Sequence, residues 1–202
     1  MKTFVKILCL FFSLLGLVNL TASPTFARPT VVIDAGHGGH DRGGVPGDRY
    51  AEKIYTLDVS RRLQSRLNSL GYHTILTRRD DQFIGLNQRC AIANSQSNAI
   101  FVSIHFNSST REGANGIETY YFTQKSLRLA TSIHRSVVRA TSTEDRHLRA
   151  RGFYVIRNTR IPSVLVECGF LTNRAEGSLI AGSASYRQRL ADAVARGIIS
   201  QR

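Results

Sequence analysis

Three apolar runs in this chain each end on an ionisable side chain, and that recurrence limits what the chain can fold into. They are Val31-Val-Ile-Asp-Ala-Gly-His37, Ala99-Ile-Phe-Val-Ser-Ile-His105 and Pro162-Ser-Val-Leu-Val-Glu167. Short β-branched runs bounded by glycine or proline read as buried strands rather than helices. The first, over 30–34, stops abruptly at Gly36-His37-Gly38-Gly39, where missing Cβ atoms allow a sharp turn and a close approach. Ionisable residues seldom belong at the ends of core strands unless they are paired or bind something. Parallel strands share a rim at their carboxyl ends, where open α/β sheets bind their ligands. His37, His105 and Glu167 are therefore expected to converge on one crevice.

The segments between them supply the rest of such a sheet. A glycine-rich loop, Asp41 to Asp48, leads to Glu52, after which Val59, Leu63, Leu67 and Leu70 repeat at helical spacing and Gly71 provides the cap. Glu52 thus stands in or just before a first helical turn, where it either complements the helix dipole or joins the crevice. Tyr72 to Thr77 alternates as a strand, a helix is expected over 86–94, and Gly116 to Phe122 reads as a strand with Glu118 and Tyr120 on one face. Leu127, Ala130, Ile133, Val137 and Ala140 mark an amphipathic helix. A polar connection over 141–151 and a strand over 152–157 follow. Asn173 with Glu176 resembles a capping box, and Tyr186, Leu190, Ala193, Val194 and Ile198 form the apolar face of a closing helix. The alternation predicts a single α/β domain: a twisted, mostly parallel (mixed) β-sheet with helices on both faces.

Residues 1–27 have a different character. Lys2 and Lys6 precede an apolar run from Ile7 to Leu20, and the small residues after it end in Thr25-Phe26-Ala27. That is the layout of a secretory signal peptide, and about fourteen apolar residues are too few to span a bilayer. The reading is an exported protein of the periplasm or cell envelope, with one folded domain over 28–202 and no stable membrane anchor after processing. Loss of the two lysines lowers the formal charge from +13 to +11. A basic surface favours polyanions, and export points to anionic lipid or an acidic wall polymer. The arginines are scattered without interleaved aromatics, so no nucleic-acid partner is expected. Cys90 falls in a helix and Cys168 at a strand end, and both read as small buried side chains rather than a disulfide.

Two imidazoles and a carboxylate are the ligands of hydrolytic zinc sites, whose fourth position stays open for water. A further carboxylate can take a proton from that water and return it to a leaving group. His37, His105, Glu52 and Glu167 supply such a set. The chain also resembles the bacterial zinc-dependent N-acetylmuramoyl-L-alanine amidases of the type 3 family. The likeness runs in order through Ile33-Asp-Ala-Gly-His37-Gly-Gly, Glu52-Lys53, Leu76-Thr-Arg78, Arg89, Ala93-Asn94 and Ser103-Ile-His105-Phe-Asn107. It continues through Gly116-Ile-Glu-Thr-Tyr-Tyr-Phe122, Phe153-Tyr-Val-Ile-Arg157 and Val164-Leu-Val-Glu167-Cys-Gly-Phe170-Leu-Thr-Asn173. Ala35, where the family usually has proline, and the turn His40-Asp41-Arg42 depart from the pattern.

The resemblance implies one zinc ion held by His37, Glu52 and His105, with Glu167 as catalytic acid/base and Asn107 as a substrate contact. It implies hydrolysis of the amide between N-acetylmuramic acid and the L-alanine of the stem peptide. The expected partner is peptidoglycan, met by a monomer, with a protein activator left open. Some relatives carry a helical plug before the catalytic glutamate. Thr123 to Arg151 has room for one ordinary helix and a connection, which predicts an open site. Of the other histidines, His73, His134 and His147 read as structural or solvated, and His37 is preferred over His40 as a ligand. Two alternatives stand beside this reading: a non-catalytic envelope-binding protein of the same fold, and a zinc hydrolase of another envelope bond.

Overall fold

Val31, Val32 and Ile33 are all fully buried, so successive side chains of this run enter apolar surroundings on both sides of a sheet. The computed structural model describes residues 28–44, 49–111 and 113–201; the expected signal peptide lies outside the described residues. The elements are β1 (Thr30–Ala35), α1 (Glu52–Ser69), β2 (Thr74–Leu76), α2 (Leu86–Asn94), β3 (Ala99–Asn107) and β4 (Ile117–Tyr121). A 3-10 turn (Gln124–Ser126) leads to α3 (Leu127–Ala140), β5 (Asp145–Ala150), α4 (Tyr154–Arg157), β6 (Ser163–Phe170), α5 (Arg174–Gly182) and α6 (Ala184–Ser200).

The strands form one sheet in the order β2-β1-β3-β6-β4-β5. β1 runs parallel to β2 and β3, and β3 parallel to β6, whereas β4 is antiparallel to β6 and parallel to β5. The sheet is thus mixed and mostly parallel, as expected. Alternation sorts the side chains into two layers. Val31, Ile33, Val102, Ile104, Val164 and Val166 pack with Val59 and Leu63 of α1, Ile133 and Val137 of α3, and Leu190 and Val194 of α6. Val32, Phe101 and Leu165 face the other way, onto Cys90 and Ala93 of α2 and Val155 and Ile156 of α4. α3 and α6 lie close enough that a Cβ on Gly197 would come within 2.4 Å of the Ile133 Cα. Cys90 and Cys168 are buried free thiols in different layers, as the sequence indicated.

Two local expectations fail. Residues 152–157 do not form a strand; 154–157 make a helical turn, and the strand lies earlier, in the polar stretch 145–150. The run Phe153-Tyr-Val-Ile156 fits either geometry by composition. Consecutive Val155 and Ile156 are both buried against α2, which a helical turn permits and an alternating strand on one face does not. β5 is an edge strand and largely exposed, so it needs little apolar residue beyond Leu148. The capping box is only half made. Asn173 caps α5 by accepting from the N–H groups of Ala175 and Glu176. Glu176 turns inward instead, accepting from the N–H groups of Phe170 (2.7 Å) and Gly116 (3.1 Å) and from the Thr143 hydroxyl (2.7 Å).

Candidate active site

The turn after β1 is fixed from below by two buried arginines. Arg78 donates to the carbonyls of Ala35 (3.0 Å), Gly36 (2.8 Å) and Lys53 (2.8 Å). Arg89 donates to those of Ala35 (2.6 Å), His37 (2.8 Å) and Ile84 (2.8 Å). Planar guanidinium forks satisfy carbonyls that a turning chain can no longer give to a sheet. The charge of Arg89 is met by Asp34, buried within β1, at 2.8 Å, and the Thr77 and Ser103 hydroxyls each donate to the same carboxylate at 2.7 Å. Burial opposes ionisation of Asp34, but Arg89 and the two hydroxyls outweigh it and hold its pKa below the usual value.

On this platform His37 takes a left-handed backbone, φ 60°, which aims its ring across the rim. Gly36 is required beside it, because a Cβ there would fall 2.4 Å from the His105 ring. Gly43 is required opposite, where a Cβ would sit 2.5 Å from Glu52 Oε2. Glu52, the first residue of α1, is almost fully buried and spans the two imidazoles. Its Oε2 lies 3.0 Å from His37 Nε2 and its Oε1 2.9 Å from His105 Nδ1. The N–H groups of Gly44 and Phe106 donate to the same two oxygens. Burial would raise the pKa of Glu52, but hydrogen bonds with His105 and then His37 pull it down to about 2. Burial lowers and the Glu52 and Asp41 carboxylates raise the pKa of His37, with a net increase.

Ligand atoms of His37, Glu52 and His105 lie within 4.8 Å of one another, which one small cation can bridge. Asp41 accepts from His37 Nδ1 at 2.9 Å, leaving Nε2 directed at the cluster. His40 instead stacks on Phe83, with ring centroids 4.2 Å apart.

Register brings the remaining carboxylates alongside. Glu167 on β6 is directly opposite His105 of β3 on one side and Glu118 of β4 on the other. Its Oε2 is enclosed and has no hydrogen-bond partner among the described residues. Burial, reinforced by the negative charges of Glu52 and Glu118, raises its pKa well above the ordinary carboxyl range. Asn107 reaches the second of these carboxylates. Its Nδ2 donates to Glu118 Oε2 at 2.7 Å, as does the Tyr120 hydroxyl, while Arg146 pairs with Glu118 Oε1 at 3.2 Å.

A cleft of about 410 Å³ opens beside the imidazoles, walled by Phe83, Leu86, Phe153 and Tyr154 over Leu165. Those four side chains keep 38–52% of their surface exposed, so the rim pairs a polar cluster with an apolar wall. Among the described residues, α3 packs into the core away from this cleft through Leu129, Ala130, Ile133 and Val137. His134 is buried between Thr119 and Asp145, His73 contacts Thr30, and His147 is exposed, so none of the three joins the cluster.

Asp41, Glu118 and the two arginines were not identified as site-forming from sequence. Arg78, Arg89 and Glu118 stand within the family-like segments without an assigned role, and the shared face read for Glu118 and Tyr120 is borne out by their hydrogen bond.

Comparison with known proteins agrees with this geometry. The family model described as N-acetylmuramoyl-L-alanine amidase matches residues 31–200. The chain is 42% identical to the uncharacterized protein YqiI of Bacillus subtilis (strain 168) over 175 residues, covering 85% of this chain and 84% of that protein. It is 37% identical to the N-acetylmuramoyl-L-alanine amidase LytC of the same strain, covering 85% of this chain but only 35% of LytC. Among solved structures, the catalytic domain of the amidase CwlV from Bacillus (Paenibacillus) polymyxa var. colistinus superposes with a TM-score of 0.81 at 38% identity, covering 85% of this chain and 97% of that one. The amidase AmiC2 of Nostoc punctiforme gives 0.80 at 36% identity, covering 86% and 97%.

Proposed function

The chain belongs to the N-acetylmuramoyl-L-alanine amidase family and is a peptidoglycan hydrolase, and on that premise we propose how its residues perform the cleavage. His37, Glu52 and His105 hold one zinc ion, and Glu167 is the catalytic acid/base. The observation that carries this reading is the closure of two imidazoles and one carboxylate to within 4.8 Å beside the unpartnered Glu167 Oε2. The donor set fits zinc, since two imidazole nitrogens and a carboxylate oxygen are donors that would hold it. When bound, zinc supplies Lewis acidity, which lowers the pKa of a water to about 7 and polarises a carbonyl.

The other steps fall to the chain. Glu167 Oε2 accepts a proton from the attacking water and passes it to the L-alanine nitrogen as the amide C–N bond breaks. Asp41 fixes the His37 tautomer. Asn107, steadied by Glu118, contacts the substrate, and Phe83 and Phe153 wall the cleft beside the imidazoles. Peptidoglycan is outside the cytoplasmic membrane, so the enzyme acts there; removal of residues 1–27 as a signal peptide accounts for its export. It works as a monomer, and its cleft needs no activator to be uncovered.

The test is digestion of purified peptidoglycan with mass spectrometry of the products. Free stem peptides beginning at L-alanine, lost on chelation and restored by zinc, are the expected result. Products split within the peptide or the sugar chain, or cleavage indifferent to chelator, would sink the reading.

A further inference from the structure

The helix layer opposite the α2 and α4 side of the sheet carries a second concavity, a groove of about 900 Å³ between α3 and α6. Arg128, Arg135 and Arg139 of α3 and Arg196 of α6 line it, all four exposed, with Ser132 and Ser136 between them. At 100° per residue the three α3 arginines and Ser132 fall on one narrow stripe, which at 1.5 Å per residue extends about 17 Å. Arg62, Arg89, Arg146 and Arg187, by contrast, each meet a carboxylate. None of the four groove arginines makes an ion pair or side-chain hydrogen bond among the described residues, and no Asp or Glu lines the groove. Arg135 and Arg139, one turn apart, are a repulsive like-charge pair that nothing inside the groove offsets.

We infer that this groove binds the phosphates of an extended, phosphodiester-linked anionic polymer laid along α3. Guanidinium forks match phosphate oxygens, and the intervening serine hydroxyls add neutral donors at the same level. A linear run of charge in a concave trough suits a chain. A membrane-binding face would instead flank its cations with exposed apolar anchors. No aromatic side chain lines the groove, so it offers no stacking platform for nucleobases. The groove is on the other helix layer from the reactive cleft, so polymer binding and peptidoglycan cleavage can proceed together. The inference does not depend on the amidase reading.

The test measures binding of the purified protein to synthetic poly(glycerol phosphate), phosphatidylglycerol vesicles and single-stranded DNA at low salt. Arg135→Gln/Arg139→Gln is compared with a control of equal charge, Arg79→Gln/Arg174→Gln, at exposed positions outside the groove. The expected result is polymer binding that weakens with salt and is about a hundredfold weaker in the groove variant, from two lost charge-assisted contacts. The control retains affinity, and both variants keep the parent's circular-dichroism spectrum and melting temperature. Absence of polymer binding by the parent, equal loss in the two variants, or tighter binding to vesicles or DNA than to the polymer would each overturn it.

Discussion

The charge state of a carboxylate here follows from what surrounds it. Glu52 is buried yet ionised, because two imidazoles and two N–H groups converge on it, whereas Glu167, two strands away from β1, is pushed toward the protonated form. That division suits the roles proposed for them, Glu52 as a ligand and Glu167 as a proton carrier. Glu167→Gln preserves shape and hydrogen-bonding capacity but cannot exchange a proton. Its turnover should fall about 10²–10⁴-fold with bound zinc unchanged by elemental analysis; a variant that lost both together would place Glu167 among the ligands. Asp41→Ala removes the carboxylate behind His37 Nδ1. Competition with a chelator should then show zinc held about 10–100-fold more weakly, and saturating zinc should recover most of the activity. The sequence exposed His37, His105 and Glu167 because each ends an apolar strand, whereas the start of a helix left Glu52 open to a dipole role and only the family resemblance singled it out. Asp41 stayed hidden: its role depends on the left-handed backbone at His37, which no pattern of residue types encodes.

At the level of elements, the site depends on how β1 ends. Asp34 looks like an error in an otherwise apolar strand, yet it compensates Arg89, which with Arg78 ties down the carbonyls of the glycine turn. Asp34→Asn leaves a buried guanidinium without its counter-charge and should destabilise the fold by about 3–5 kcal/mol near neutral pH, measured by urea unfolding. The sign with pH follows from the lowered folded pKa. The contribution of Asp34 is fully present above its unfolded value of about 4 and is lost as pH falls through the lower folded one. The stability gap between parent and variant should therefore narrow below about pH 4; a gap that stayed constant through that range would mean the carboxylate charge is not what Arg89 requires. Most elements were legible because periodicity and β-branched runs report burial directly. The exceptions share a cause. β5 is polar because an edge strand is not enclosed, and 154–157 is an apolar run too short for its period to be read. Arg78 and Arg89 contact the end of β1 and the turn after it, 42 to 55 positions away, so their roles become visible only once the sheet is assembled.

For the molecule as a whole, the positive formal charge, +13 over all 202 residues and +11 without residues 1–27, acts at a range that no single contact does. Peptidoglycan presents many stem-peptide carboxylates on an extended surface, so a basic enzyme is drawn to it before any bond is positioned in the cleft. A short soluble muropeptide carries too little charge to gain much from that attraction. The reactive cluster is partly enclosed, and its charges pair at about 3 Å, well inside any screening length. Raising salt from about 0.1 M to 1 M shortens the Debye length from about 10 Å to 3 Å, which removes long-range attraction while leaving such contacts intact. Digestion of intact wall should consequently slow severalfold over this range, read as released stem peptide against time, while hydrolysis of the small muropeptide holds its rate. Equal slowing of both would locate the salt effect in the cleft and not in the surface charge. If the arginine groove supplies part of the attraction in walls bearing phosphodiester polymer, Arg135→Gln/Arg139→Gln should flatten the salt response there, but not on wall stripped of that polymer.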